Sequence, residues 1–361
     1  MAEGASAVEA AAEGRAVPPE SRAELCTPLH AEGPCEVLHL SADGRQLLSA
    51  AGDGRLLSAA AATAEQLPSR AWVHRLADRG ALTAAAVSAD RAWLATGQEG
   101  DAGFGVWVYS LEAGRPTSMP RLATRFTLPV RFLAWHGSLL GIGADDGKLC
   151  VWSREADGDA KQPRRRDFGV GSGSGGIRCL AFDPRGELLA AALTSGALVI
   201  FGLSDLQELY RAVLWPKAVI GQEHVAMAWR PDGHALALPG QRAVRLAARG
   251  QYKSALTLLE GGHRHATTAA AWSASGELLA TASLEAVALW RAQELLLVCQ
   301  LDAQAHSLTW GGEAFLAVGT ASGSWARLGV PGPAAAEPPA GGQPEAAAGS
   351  EAPGQETPVP E

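Results

Sequence analysis

Between about Val37 and Leu328 the chain alternates short apolar runs with glycine-containing turns, and helical 3.6-residue periodicity is hard to find. The pattern predicts strands. One unit recurs: an apolar strand ending in a large residue, a turn, a second strand built on Leu-Ala, another turn, and a third strand. Seven copies can be read directly. They are VLHLSADGRQLLSAAGDGRLLSA from Val37, AAAVSADRAWLATG from Ala84 and VRFLAWHGSLLGIGADDGKLCVW from Val130. Then follow IRCLAFDPRGELLAAALTSGALVIF from Ile177, VAMAWRPDGHALALPGQRAVRL from Val225, AAAWSASGELLATASLEAVALW from Ala269 and HSLTWGGEAFLAVGTASGSWARL from His306.

Aligned on the first turn, the copies give a column of Leu40, Val87, Trp135, Phe182, Trp229, Trp272 and Trp310. A second column closes the third strand with Trp107, Trp152, Phe201, Leu246, Trp290 and Leu328, the first copy placing Ala59 there. The first-column residues stand about 36 to 49 positions apart, around the roughly 40–45 expected of a four-stranded propeller blade. Each such blade leaves apolar faces that only its neighbours in a closed ring can bury. The turns agree: Ala-Asp-Gly at 42–44, Pro-Arg-Gly at 184–186 and Pro-Asp-Gly at 231–233 follow first strands, and Asp53-Gly54 and Asp146-Gly147 follow second strands. Gly262-His263 precedes Trp290 as the Gly-His of a WD repeat would. The expectation is an all-β, seven-bladed WD-repeat β-propeller over residues 23–330. The last copy stops after three strands, so Ala23–Leu29 is expected to supply the missing outer strand and clasp the first blade to the last.

Flanking residues 1–22 and 331–361 are rich in Ala, Pro, Glu and Gly and are expected to be disordered. The final segment carries five Glu and no Lys or Arg, so the chain's net charge of −8 leaves the repeat region only mildly acidic. That is not the basic field of a non-specific nucleic-acid binder, and direct nucleic-acid binding is not expected. No apolar run approaches the roughly 18 residues of a membrane span, and no secretory or transit signal opens the chain. The cysteines (Cys26, Cys35, Cys150, Cys179, Cys299) are odd in number and lack a CxxC pair, which predicts packed thiols in a reducing compartment.

Candidate chemistry is sparse. Gly171, Gly173 and Gly176 spell GxGxxG, but the motif follows a polar run and precedes a strand, the reverse of a dinucleotide site. It reads as an inter-blade linker. His263 and His265 flank Arg264 without a nearby Cys or carboxylate to complete a metal ligand set; His263 reads as a blade-start histidine bonded within its own blade. Asp145-Asp146 reads as a hairpin turn. No catalytic, metal or cofactor residue is predicted. Lys161, Arg164, Arg165 and Arg166 form one basic cluster in the loop between the third and fourth copies, either a solvated loop or a nuclear-import or phosphate-contacting patch. One face of the ring collects Glu36, Thr83, Arg131, Arg178, Val225, Thr268 and His306 where the first strands begin. Arg131 and Arg178, on adjacent blades, are placed to clamp an acidic peptide with His306 on the same rim, unless they are merely solvated.

The order of individual phrases resembles one family. LHAEGPCEVLHLSADGRQLLSAAGDG (Leu29–Gly54), LATRFTLPVRFLAW (Leu122–Trp135), VLWPKAV with VAMAWRPDGHALALP (Val213–Pro239) and AVRLAARGQYKSALTL (Ala243–Leu258) are similar to the N-terminal WD-repeat propeller of the eukaryotic replisome adaptors called acidic nucleoplasmic DNA-binding protein or chromosome transmission fidelity factor 4. The resemblance covers about residues 28–328. It implies a nuclear hub that couples the replicative helicase to DNA polymerase α and recruits clients through short peptides, with roles in cohesion and repair. Family members continue into a second, trimerising propeller and a helical bundle, and animal members add an HMG-type box. Here a Pro/Ala/Glu tail follows, so trimerisation, client capture by that second domain and DNA binding are not carried over. The Asp of the Trp-Asp dipeptide is also replaced by Ser153 and Arg291. The second reading is a generic WD-repeat subunit, such as a ubiquitin-ligase substrate receptor or cytoplasmic assembly factor. An enzyme working in the channel comes third.

Overall fold

The computed structural model describes residues 20–22, 30, 35–41, 46–60, 72–76, 81–100, 103–117, 119–155, 164–167, 175–215, 225–253 and 256–330. Its strands run in chain order from a short β1 (Glu20–Arg22). Blade 1 holds β2 (Cys35–Leu40), β3 (Gln46–Ala51), β4 (Arg55–Ala60) and β5 (Trp72–Arg75). Blade 2 holds β6 (Leu82–Val87), β7 (Trp93–Gly100), β8 (Gly103–Glu112) and β10 (Arg121–Phe126), with β9 (Arg115–Pro116) folded back on β8. In blade 3 are β11 (Val130–His136), β12 (Leu139–Ala144), β13 (Lys148–Ser153) and β14 (Arg164–Asp167). Blade 4 comprises β15 (Ile177–Phe182), β16 (Leu188–Leu193), β17 (Ala197–Gly202) and β18 (Glu208–Val213). Blade 5 comprises β19 (Ala228–Trp229), β20 (Ala235–Leu238), β21 (Val244–Ala248) and β22 (Leu256–Leu259). In blade 6, β23 (Thr267–Trp272), β24 (Leu278–Ser283), β25 (Ala286–Arg291) and β26 (Glu294–Gln300) carry β1 as a fifth strand. Blade 7 shows β27 (Ala305–Gly311), β28 (Phe315–Thr320) and β29 (Trp325–Gly329). The protein is an all-β, seven-bladed propeller ring.

Why Leu-Ala strands occupy the second position follows from burial. In β12, β16, β24 and β28 nearly every side chain is inaccessible, because each blade is covered on both faces by a neighbour. Small Ala side chains let the blades approach. Outer strands such as β18 face solvent on one side and alternate instead.

The core is divided into seven clusters, and each cluster joins two adjacent blades. Val106, Val108, Leu140 and Ile142 sit between blades 2 and 3, Ile200, Trp229 and Leu236 between 4 and 5, and Leu289, Leu316 and Val318 between 6 and 7. Cys35, Leu38 and Leu47 meet Ala317 and Trp325 between blades 1 and 7. The ring is therefore closed by packing. The seam is reinforced where Ser307 donates to the Cys35 carbonyl at 3.1 Å and the backbone N–H of His30 donates to Gly323 at 3.2 Å.

The first aromatic column has a second use. The indole N–H groups of Trp135, Trp229, Trp272 and Trp310 donate to the carbonyl oxygens of Ala86, Ala181, Ala228 and Ala271, each in the preceding blade. Phe182 lacks that donor and stacks on His136 of blade 3 instead, with ring centroids 5.6 Å apart.

Two expectations meet a different arrangement. Blade 5 reads like the others, yet its first strand keeps only Ala228–Trp229 in its own ladder. Ala226 instead bonds sideways to the first strand of blade 6: its N–H donates to Thr268, and its carbonyl accepts from Ala270. At the N-terminus, Ala23–Leu29 lie outside the described residues. Glu20–Arg22, within the segment expected to be disordered, pair in parallel with Val298–Gln300 of β26, so the N-terminal strand seen here belongs to blade 6.

Candidate functional site

Along the ring axis the first strands of all seven blades enclose a cavity of about 340 Å³. Most of its lining residues are apolar, with Ala84, Ala134, Ala226 and Ala270 beside Leu38, Leu133 and Leu180; Arg131, His306 and His39 are its ionisable lining. Among the described residues no group of three or more His, Cys, Asp or Glu is arranged to hold a metal ion.

The mouth is built by a repeated irregularity. In six blades the first strand shifts register one step in, at Cys35/Val37, Leu82/Ala84, Val130/Phe132, Ile177/Cys179, Thr267/Ala269 and Ala305/Ser307. A bulge leaves one residue unpaired and re-aims it. The skipped residues are Glu36, Thr83, Arg131, Arg178, Thr268 and His306, six of the seven rim positions expected from the alignment. Val225, the seventh, is buried, and blade 5 makes its sideways pairing next to it. Thr268 is also buried.

Arg131 and Arg178 do come together, through a carboxylate that reads in the sequence as part of a hairpin turn. Asp145, on the turn between β12 and β13, accepts from Arg131 Nε at 2.6 Å and from Arg178 Nη1 at 2.6 Å. One carboxylate thus pins two guanidinium groups from adjacent blades. Arg131 is 45% exposed and Asp145 19%, so the Arg131 guanidinium is still reachable from solvent. Asp146 serves the turn itself, accepting from the Lys148 backbone at 3.1 Å, from Lys148 Nζ at 2.9 Å and from Thr127 at 3.0 Å.

The basic cluster is not a loop. Arg164, Arg165 and Arg166 form the outer strand of blade 3, paired with Val151, Cys150 and Leu149. Arg165 reaches across to blade 2 and donates to Thr124 Oγ1 at 2.6 Å. Lys161 lies outside the described residues. The four described core cysteines (Cys35, Cys150, Cys179 and Cys299) are buried thiols; burial pushes Cys150 and Cys179 up to about 12, which makes them unreactive.

One further constellation leaves no reading in the sequence, and a second extends the expected bond of His263 within its own blade. In blade 1, His30 Nδ1 lies 3.1 Å from both Asp53 oxygens while Nε2 lies 2.8 Å from Ser49 Oγ. The order Asp–His–Ser is that of a hydrolase triad. Ser49, however, is wholly buried mid-strand and also meets Cys35 Sγ at 3.2 Å, so no substrate reaches it and the trio is an internal brace. Blade 6 repeats it with a different omission. His263 Nε2 lies 2.7 Å from Thr281 Oγ1, which also accepts from Trp290 Nε1 at 2.8 Å. His263 is bonded within its blade, and burial pushes it down to about 4. Gly262 beside it is obligatory, since a Cβ there would lie 2.5 Å from the Trp290 ring.

On the opposite face, blades 4 and 5 are tied by Arg249, whose guanidinium meets Asp183 at 2.9 Å and Glu187 at 2.6 Å. Burial of Asp183 opposes its ionisation. The Arg249 hydrogen bond and charge and the Arg185 backbone N–H outweigh that and hold its carboxyl below the usual range.

The sequence matches no protein-family model and no curated protein. A likeness to the replisome adaptors therefore rests on the phrases quoted above.

Proposed function

We propose that this chain is a non-catalytic protein-interaction scaffold that works in DNA replication, as an adaptor of the kind its phrases resemble. The observation that carries the docking reading is the channel mouth, where Asp145 holds Arg131 and Arg178 on adjacent blades and the Arg131 side chain remains 45% exposed. A pre-oriented pair of planar guanidiniums favours a carboxylate-bearing peptide over a neutral one. Docking on rigid blades also costs little ordering on the scaffold's side. The replication assignment is supported by the family-ordered phrases between Leu29 and Leu258. It places the protein in the nucleus, with replisome or chromatin proteins as partners. The net charge of −8 argues that nucleic acid is reached through those partners.

Affinity purification of the tagged chain from dividing cells, with mass spectrometry of what accompanies it, tests this. Replicative helicase, DNA polymerase α or chromatin proteins are expected. A ubiquitin-ligase or cytoplasmic assembly without any of them would instead favour the generic WD-repeat subunit.

A further inference from the structure

The first strand of blade 5 leaves its ladder because of the strand it should pair with. Arg230 N–H donates to the Ala235 carbonyl, and in an antiparallel ladder such bonded pairs recur at every second residue. The next pairs are Ala228–Ala237 and Ala226–Pro239. At the second of these, Pro239 has no N–H to give to the Ala226 carbonyl. The other six blades place Ala or Gly at that position of the second strand.

What the missing donor leaves over is met from neighbouring blades. Ala226 N–H donates to Thr268 at 2.8 Å and its carbonyl accepts from Ala270 at 3.0 Å, both in the first strand of blade 6. Met227 N–H donates to Cys179 Sγ of blade 4 at 3.1 Å. The Pro239 carbonyl accepts from the indole N–H of Trp215. Gly240 donates to Thr267 Oγ1 at 2.6 Å and accepts from the Thr267 N–H at 2.7 Å. Ala226 and Met227 have thus exchanged their own blade for the two beside it.

The two arrangements differ in what they leave unmet. Returned to blade 5, the Ala226 carbonyl would face a proline nitrogen with no hydrogen, beside a buried stretch of strand. An ordinary residue at 239 reverses the balance. Its N–H would be buried and unmet while Ala226 stayed away. The Ala270 N–H released by the return would instead face the axial cavity, which is roomy enough for water.

The transfer also shapes the mouth. Val225 and Thr268, the rim positions on either side of it, are the buried ones among the described rim side chains. We propose that Pro239 is a strand-transfer lock. By withholding one N–H it moves Ala226 onto the axis-facing edge of blade 6 and closes the channel mouth between blades 5 and 6, leaving it open on the side of Arg131 and Arg178. The lock stands whatever the mouth binds.

Amide hydrogen exchange, followed by NMR in the full-length chain, tests it. Ser88 N–H donates to the Trp93 carbonyl, so the same two-residue count leaves the Ala85 N–H facing the axis, as the Ala270 N–H does. In wild type the Ala270 amide, bonded to Ala226, is expected to exchange roughly tenfold more slowly than that of Ala85. Pro239→Ala is expected to abolish the difference and to add a protected amide at position 239. Val225→Cys reads the mouth. Its thiol is expected to be inert to a maleimide alone and reactive when combined with Pro239→Ala, each counted against the same protein with Val225 intact. Equal exchange of Ala85 and Ala270 in wild type would overturn the transfer, and that result needs no variant to fold. An Ala270 amide still protected in folded Pro239→Ala would overturn the part given to the proline. A thiol at 225 that reacts in both backgrounds, or in neither while Ala270 is released, would overturn the closed mouth.

Discussion

Trp310 of blade 7 donates its indole N–H to the carbonyl oxygen of Ala271 in blade 6 at 2.9 Å, and Trp272, Trp229 and Trp135 of the same column each make the same bond to the blade before their own. The column thus bonds blades as well as filling space between them. Trp310→Phe keeps most of the apolar volume and removes the donor. The expected loss is about 1 kcal/mol, read as a lower urea midpoint with an unchanged slope. An unchanged midpoint would mean that packing alone sets the column.

Arg249→Ala strips the fully buried Asp183 of its cation across the seam between blades 4 and 5. Breaking one side of such a pair costs more than the pair contributes, and about 3 kcal/mol is expected. Arg249→Lys should recover only part, because one ammonium cannot meet Asp183 and Glu187 with a planar fork. Thermal unfolding of the two variants beside wild type checks the order.

Acid should weaken the ring by forcing a proton onto buried His263. His263 is neutral in the folded protein, with its pKa at about 4, below the ordinary 6.5. Between those values the unfolded chain binds the extra proton, so stability is full above about pH 6.5 and falls as pH drops towards 4. The loss approaches about 3 kcal/mol for this one side chain. Urea unfolding at pH 7 and pH 4.5 should show it, and His263→Gln should reduce the fall without abolishing it, because burial also pushes His39 down to about 4.

How much of this was legible differs between fold and site. The two aromatic columns, the turns and the ring came from periodicity, because each blade repeats one burial pattern. The rim residues were legible too, since Arg131, Arg178 and His306 hold one fixed place relative to the first turn. What periodicity hides is who bonds whom. Asp145 and Asp146 look alike in sequence, yet one serves the turn and the other bridges two blades. Ala226 reads as one more residue of a first strand, and its sideways bond to blade 6 leaves no local signal. Arg164–Arg166 read as loop because a run of charge hides the strand that pairs with Leu149–Val151. His30 and Asp53, 23 positions apart, are brought together only by the blade's own ladder.

Asp145→Asn removes the carboxylate that joins Arg131 to Arg178 and raises the charge of the mouth by one. Capture of acidic partners is expected to strengthen and to become more salt-dependent, since more of the attraction would then be between exposed charges that salt screens. Capture measured at two ionic strengths, wild type against variant, distinguishes this from simple loss of rim order, which would weaken binding at both.

The measurement that bears most directly on the docking account is paired affinity purification of wild-type protein and a folded Arg131→Gln/Arg178→Gln variant from dividing cells, with partner abundance quantified by mass spectrometry. The account predicts replication proteins on the wild type and at least a tenfold loss from the variant. Replication proteins retained equally by both, or absent from the wild type, would contradict it.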